Sequence, residues 1–216
     1  DGIVVLENFY SEKYCEQSVR DIDEALIEKA DGVWVDSFSS DHRVFGIEKN
    51  SLGIRKFSDD IRIIDYSIDY LGYESAEGFV LGAKLLASDG NEGSGGGWHK
   101  DNAIFKQFKA IAYLSDVSSE NGPFQYVIGS HKLKHRLKYF FNKNKFYQTR
   151  FNDDDDEVSN VYNEIKTVCG KKGSLVLVDT KGIHRGKPIV TGKRYALTKY
   201  MWIDKIPKHI KKMLIA

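Results

Sequence analysis

The chain has 216 residues, 41% of them hydrophobic, which is enough to bury a core and short enough for a single domain. Its 32 basic and 31 acidic residues nearly cancel, so the composition argues against a general DNA- or RNA-binding protein. Two cysteines, Cys15 and Cys169, exclude a dense disulfide framework and favour the cytoplasm, and no apolar run approaches the roughly 20 residues that span a bilayer.

The first 75 residues are expected to form a helical part. Apolar residues at helical spacing between residues 12 and 30, after Ser11 and before Gly32, predict an amphipathic helix. A second helix is expected from about Asp59 to Leu71. The segment between the helices, residues 33–55, indicates a short strand and a polar loop.

From residue 76 the pattern changes to short β-branched and aromatic runs separated by Gly, Asn, Asp and Pro, which predicts strands. The runs are residues 78–88, 108–117, 123–130, 173–184 and 194–204. Many short strands without a fixed repeat favour a sandwich or barrel, including the jelly roll. We expect one domain, with a barrel core at 76–204 and a basic C-terminal tail at 205–216 packed on it.

Three polar stretches have simpler structural interpretations. Residues 131–147 are basic and predict a solvated helix with an apolar stripe. Residues 152–160, NDDDDEVSN, predict a solvated loop, because a calcium-binding loop needs alternating ligands and a central glycine. The loop at 39–50 precedes the barrel, where a lid could close, so His42 and Arg43 are candidate substrate contacts.

A His-x-Asp pair, His99 and Asp101, follows three glycines in the stretch GGGWHKDN. Residues two apart share a face only in an extended chain, so this segment must be extended if both side chains bind one ion. His184 follows a buried-looking strand and is the expected third ligand. Two histidines and one carboxylate suit non-haem Fe(II) and oxygen chemistry. The adjacent Trp98 is expected to pack, with a substrate contact as the alternative.

Arg194 provides a possible partner for a co-substrate. If a 2-oxo acid chelates iron through its carboxylate and keto oxygen, its far carboxylate needs a fixed, planar cation, and arginine meets that need. Arg194 lies ten residues after His184 and starts the next strand. The order His-x-Asp, His, Arg is more specific than any of its parts.

Four features occur together over the C-terminal part of the chain: WHKD at 98–101, NGPFQYVIGSHK at 121–132, GSLVLVDTKGIH at 173–184, and Arg194. In this order they resemble the phytanoyl-CoA dioxygenase family of Fe(II)/2-oxoglutarate-dependent oxygenases. Two positions depart from the family pattern, Ile128 where proline is usual and Lys100 where glutamine is frequent. Neither is a ligand position.

The resemblance implies a mainly β fold, a double-stranded β-helix of jelly-roll or cupin-like type with N-terminal helices. It implies Fe(II) bound by His99, Asp101 and His184, 2-oxoglutarate held by Arg194, and Tyr113 in the co-substrate pocket. The implied reaction uses O2, with ascorbate as a supporting reductant, and hydroxylates a C–H bond with release of succinate and carbon dioxide.

Two other function classes remain possible at this point. A cupin-type isomerase or epimerase could share the barrel and metal, but it would not need Arg194; a non-catalytic jelly-roll domain would not retain metal. Because Asp101 is present, halogenation is disfavoured, whereas desaturation, cyclisation and epimerisation stay open. The expected substrate is a small polar metabolite, such as a sugar or an amino-acid-derived natural product. The sequence does not indicate the oligomeric state.

Overall fold

The computed structural model describes residues 1–28, 32–72, 77–101, 106–134, 137, 149–151, 158, 164–202 and 205–214. Its helices are α1 (Glu12–Ile27), α2 (Leu52–Ser58), α3 (Ile61–Leu71) and α4 (Lys208–Lys211), with a 3₁₀ turn at Ile47–Lys49. Its strands are β1 (Ile3–Leu6), β2 (Val33–Val35), β3 (Asp41–Phe45), β4 (Glu77–Leu86), β5 (Phe108–Tyr113), β6 (Phe124–Val127), β7 (Ile165–Val168), β8 (Leu175–Asp179), β9 (His184–Gly186) and β10 (Lys193–Trp202).

Local capping sets the helix boundaries. The Ser11 hydroxyl accepts a hydrogen bond from the Tyr14 amide at the start of α1, and Gly72, with a φ of 86°, ends α3. Both predicted helices are therefore confirmed. The sequence-based interpretation missed α2, which Ser51 caps in the same way. This helix has only seven residues and two buried apolar side chains, too few for a clear helical period.

The strands form two antiparallel sheets. The larger has the order β1-β8-β5-β10-β4-β3-β2, and the smaller has the order β7-β6-β9. Strands β2 and β3 lie in the segment 33–55, where a short strand was expected, and they pair with each other. Strand β1 was not expected, because it has only four residues and pairs with β8, which is distant in the sequence.

The larger sheet is covered on both faces, which explains its continuous apolar strands. Along β5, Phe108, Ala110 and Ala112 face the layer of α1, α2 and α3, while Ile111 and Tyr113 face the smaller sheet. The inner faces of the two sheets enclose a second core. Within the described residues the sheets do not close into a barrel, although the mainly β architecture with flanking helices is as predicted.

The C-terminal segment packs on the sheet, as expected for the tail. Ile206 is buried against Phe45 and Phe79, and Ile210 and Met213 pack on the same cluster. The predicted helix at 131–147 and the acidic stretch at 152–160 lie largely outside the described residues. No helix in the described part of the chain is both long and apolar enough to cross a membrane.

Candidate active site

His99 and His184 are placed face to face by the backbone. The amide of each donates to the carbonyl of the other, with N–O distances of 2.8 and 2.9 Å. Directly opposed residues of an antiparallel pair project to the same side, and the two ring centroids are 4.3 Å apart. His184 therefore does not end the strand that precedes it. It begins β9, in the other sheet, after a turn that follows Asp179.

Asp101 completes the cluster from just beyond His99. Its amide donates to the Thr180 carbonyl at 3.0 Å, although the chain has already left the extended conformation there. The carboxylate lies 3.7 Å from Nε2 of His99 and 3.7 Å from Nε2 of His184. The nearest ligand atoms of all three residues lie within 4.8 Å of one another. The structure thus brings together the three residues that the sequence singled out.

Backbone carbonyls fix both imidazoles. Nδ1 of His99 lies 2.9 Å from the Gly97 carbonyl, and Nδ1 of His184 lies 2.9 Å from the Gly182 carbonyl. A carbonyl only accepts, so each Nδ1 carries the hydrogen and each Nε2 presents its lone pair to the cluster. Burial lowers the pKa of His99 to about 4 and that of His184 to about 3, which keeps both rings neutral.

The surroundings of Nε2 of His184 indicate whether the cluster suits a metal ion. This atom is buried and has no hydrogen-bond partner among the described residues, a rare condition for a polar atom in a protein interior. Neutral imidazoles and an ionised carboxylate are the donor set of non-haem iron sites. The residues therefore fit a divalent metal ion.

Lys109 is a charged residue of the cluster that sequence analysis missed. Its Nζ lies 2.6 Å from Oδ2 of Asp101, and 4.0 Å from the ring centroid of Tyr200. Burial opposes ionisation of both partners, but their mutual attraction lowers the pKa of Asp101 and raises that of Lys109. The signal was present in the sequence, because Lys109 shares the strand face of Tyr113.

The glycines before Trp98 pack directly on the site. Gly95, Gly96 and Gly97 have φ values of 93°, 64° and 77°, a conformation that favours glycine. A Cβ on Gly95 would lie 2.3 Å from Cε1 of His99. The side chain of Arg150 donates to the carbonyls of Gly95 and Gly96, which holds the loop against the imidazole.

The cluster opens into a cavity of about 600 Å³ between the sheets. Arg194 reaches it from β10, is buried, and donates to the Gly122 carbonyl. Its Nε has no hydrogen-bond partner, and it forms no ion pair among the described residues. Burial lowers its pKa, yet a guanidinium remains charged at neutral pH. Such a buried cation fits a ligand carboxylate.

Tyr113 also lines the cavity, but its hydroxyl is engaged by the backbone. It donates to the Val168 carbonyl at 2.9 Å and accepts from the Phe124 amide at 3.1 Å. Next to it, Ala83 and Ala196 face each other on β4 and β10, and their small side chains leave room in the cavity near Arg194.

The three candidate substrate contacts occupy different places. Arg43 lines the cavity and is paired with Asp41, at an Nε–Oδ2 distance of 3.0 Å. His42 points to the opposite face of β3, where its Nε2 lies 3.0 Å from the Ser39 carbonyl. Trp98 is buried in a cluster beneath Arg185 and is not among the described residues that line the cavity.

The other end of the cavity is aromatic. The rings of Phe79, Tyr200 and Trp202 stack with centroid distances of 4.9 to 5.6 Å. Apolar side chains of the C-terminal segment that contains α4 pack in the same cluster. His209 also lines this end.

Comparisons with known proteins agree with this geometry. The family model described as Phytanoyl-CoA dioxygenase (PhyH) matches residues 1–196. A search of curated proteins found no match.

Several solved structures share the fold. The epimerase SnoN, in complex with Fe3+, alpha ketoglutarate and nogalamycin RO, aligns with a TM-score of 0.69 and 15% identity, over 96% of this chain and 86% of that chain. HygX from Streptomyces hygroscopicus, with nickel, 2-oxoglutarate and hygromycin B bound, aligns with a TM-score of 0.59 and 18% identity, over 93% of this chain and 83% of that chain. EctD from S. alaskensis with bound Fe aligns with a TM-score of 0.67 and 18% identity, over 94% of this chain and 73% of that chain. At these identities the likeness establishes the double-stranded β-helix type of fold.

Proposed function

Because the chain belongs to the phytanoyl-CoA dioxygenase family, we propose that it is a non-haem Fe(II)/2-oxoglutarate-dependent dioxygenase that hydroxylates a C–H bond of a small-molecule substrate. The observation that carries the proposal is the buried, unpartnered Nε2 of His184, which faces the Asp101 carboxylate and the His99 ring. We assign His99, Asp101 and His184 as the iron ligands.

Arg194 supports 2-oxoglutarate as the co-substrate. Its guanidinium is buried in the same cavity and lacks an acidic partner among the described residues, so the far carboxylate of a 2-oxo acid would supply the missing charge. A cupin-type isomerase that does not use 2-oxoglutarate would leave this buried cation uncompensated, as would a non-catalytic jelly-roll domain.

When bound, Fe(II) supplies the oxygen chemistry: 2-oxoglutarate, O2 and R–H give succinate, carbon dioxide and R–OH. The protein's own residues hold the ligands in place. The carbonyls of Gly97 and Gly182 orient the imidazoles, and Arg194 would hold the far carboxylate of the co-substrate. Ascorbate is expected to support turnover by keeping the metal reduced.

Hydroxylation is the proposed outcome among several that such a site could support. Two structural neighbours, SnoN and SnoK, are described as a 2-oxoglutarate-dependent epimerase and carbocyclase. Outcome depends on where the substrate's C–H bond lies, so product analysis decides between hydroxylation, epimerisation and ring formation.

The residues that line the cavity restrict the classes of substrate that fit it. Arg194 occupies one end, the His99–Asp101–His184 cluster lies on the opposite sheet, and the stacked Phe79, Tyr200 and Trp202 line the other end. A small polar metabolite with a ring, such as a sugar or a natural product, could place its flat face on this aromatic wall. Arg43 is the candidate polar contact in the same cavity.

A succinate-release assay tests the proposal. Purified protein is supplied with Fe(II), ascorbate, O2 and 2-oxoglutarate, with and without a panel of ring-bearing metabolites, and the products are identified by mass spectrometry. We expect succinate formation that at least one panel member stimulates, with the product gaining one oxygen atom. His99→Ala should abolish it. Succinate formation at the wild-type rate by His99→Ala would refute the ligand assignment.

A further inference from the structure

Lys109 forms an unusual contact for a residue beside a metal site. Its ammonium is buried, with 5% of the residue exposed, and it lies 2.6 Å from Oδ2 of Asp101. Among the described residues that line the cavity, Asp101 is the sole carboxylate. Lysine is rarely buried unless it is paired, so this contact is the reason that the fold tolerates Lys109 at this position.

The same contact places two cations in competition for one carboxylate. A divalent metal bound by His99, His184 and Asp101 would lie within a few ångströms of the Lys109 ammonium, and the two charges would repel each other. The ammonium also occupies one oxygen of Asp101, which leaves the other for a metal. Lys109 thus acts on the metal through Asp101 and through its own charge.

We propose that Lys109 is the built-in counter-ion of Asp101 and that its ammonium weakens the hold of the three ligands on their metal. This inference rests on the proposed function only in requiring that His99, Asp101 and His184 bind a divalent metal.

The test compares Lys109→Met, which removes the charge and keeps the length, with Lys199→Met. Lys199 is a matched control because it is also buried, but it projects from the other face of the same sheet, and its Nζ donates to the Ser58 carbonyl. Ni(II) affinity is measured by calorimetry on the full-length protein, and thermal midpoints are measured after treatment with a chelator. Lys109→Arg keeps the charge and serves as the conservative variant.

We expect Lys109→Met to lower the thermal midpoint of chelator-treated protein, because it leaves the buried Asp101 charge uncompensated. Its Ni(II) affinity should rise by about tenfold or more, since the metal then neutralises that charge without a competitor. Lys199→Met should lose thermal stability without a change in Ni(II) affinity, and Lys109→Arg should stay near the wild-type affinity. A role confined to packing would not raise affinity while lowering stability.

Unchanged or weaker Ni(II) binding by Lys109→Met would overturn the inference. So would an equal rise in Lys199→Met. If Lys109→Met does not fold, Lys109→Gln repeats the test, with a neutral donor to Asp101 and the same expected rise. Wild-type protein that binds no Ni(II) would overturn the proposed function as well, whereas wild-type binding with no response to Lys109 variants would overturn this inference alone.

Discussion

The two histidines of the cluster are prepared as neutral ligands by their surroundings. Each donates a hydrogen bond from Nδ1 to the backbone carbonyl two residues earlier in the chain. Burial lowers the pKa of His99 to about 4 and that of His184 to about 3. A metal would therefore not have to displace protons from these rings near neutral pH.

This arrangement predicts that protein treated with a chelator loses stability in mild acid. Unfolded histidines take up protons near pH 6.5, whereas folded His99 and His184 do so only near pH 4 and 3. Between these values the unfolded state binds more protons, so the free energy of unfolding falls as the pH is lowered, by up to about 1.4 kcal/mol per pH unit for each histidine.

Urea unfolding at about pH 7, 6 and 5 measures this slope. The double variant His99→Gln and His184→Gln is the control and should give a shallower decline, because the groups that take up protons differently in the two states have been removed. An identical slope in the double variant would contradict the account.

Among single residues, the sequence indicated the proposed metal ligands better than the residues that surround them. His99, Asp101, His184 and Arg194 could be selected because spacing and residue type point to one chemistry, and the structure places them around one cavity. Lys109 was missed, since a lysine within a strand usually lies on a solvated face. In the fold this face of β5 lies against the smaller sheet, and Lys109 is buried there.

The glycine loop at residues 93–97 positions His99. In the sequence these glycines closely precede the His-x-Asp pair, but the sequence does not show what they contact. In the structure the contact is the imidazole itself, with Gly95 against the ring and the Gly97 carbonyl on Nδ1. The loop is therefore part of the support for a ligand.

Gly95→Ala should weaken metal binding. The added Cβ would lie 2.3 Å from Cε1 of His99, and the φ of 93° disfavours alanine, so the ring must move. We expect Ni(II) affinity to fall by about tenfold or more. The matched control is Gly72→Ala at the end of α3, with a φ of 86° but no atom within 4 Å of the new Cβ.

Gly72→Ala should lower the thermal midpoint and leave Ni(II) affinity unchanged. Calorimetry of both variants separates the two effects. If Gly95→Ala bound Ni(II) as tightly as Gly72→Ala, the loop would not position His99.

The sequence pattern predicts most strands of the molecule but not the sheet that each strand joins. The runs that became β4, β5, β6, β8 and β10 were recognised because they are rich in β-branched and aromatic residues and are separated by turn residues. The run 173–184, however, does not stay in one sheet: β8 belongs to the larger sheet, and after a turn that follows Asp179 the last residue of the run, His184, begins β9 in the smaller sheet. Periodicity does not reveal which sheet a strand joins, because that depends on hydrogen bonds to residues such as His99 and Tyr126 that are distant in the sequence.

In the molecule as a whole, the helices support one face of the larger sheet, and the proposed chemistry takes place on its other face. The helices α1, α2 and α3 cover one face of the larger sheet, and the other face carries Arg194, Tyr113, Lys109 and the aromatic wall towards the smaller sheet. The iron ligands we propose come from the opposite side of the same space. A co-substrate between Arg194 and the metal would leave the aromatic end for a second molecule.

We infer that one cavity binds a metal through His99, Asp101 and His184 and a 2-oxo acid through Arg194. Calorimetric titration of the protein with Ni(II), and then of the Ni(II) complex with 2-oxoglutarate, measures both binding steps. Wild-type protein should bind both. Arg194→Ala should keep Ni(II) affinity and lose about tenfold or more in 2-oxoglutarate affinity, while His99→Ala should lose both. Undiminished Ni(II) binding by His99→Ala, or undiminished 2-oxoglutarate binding by Arg194→Ala, would contradict the account.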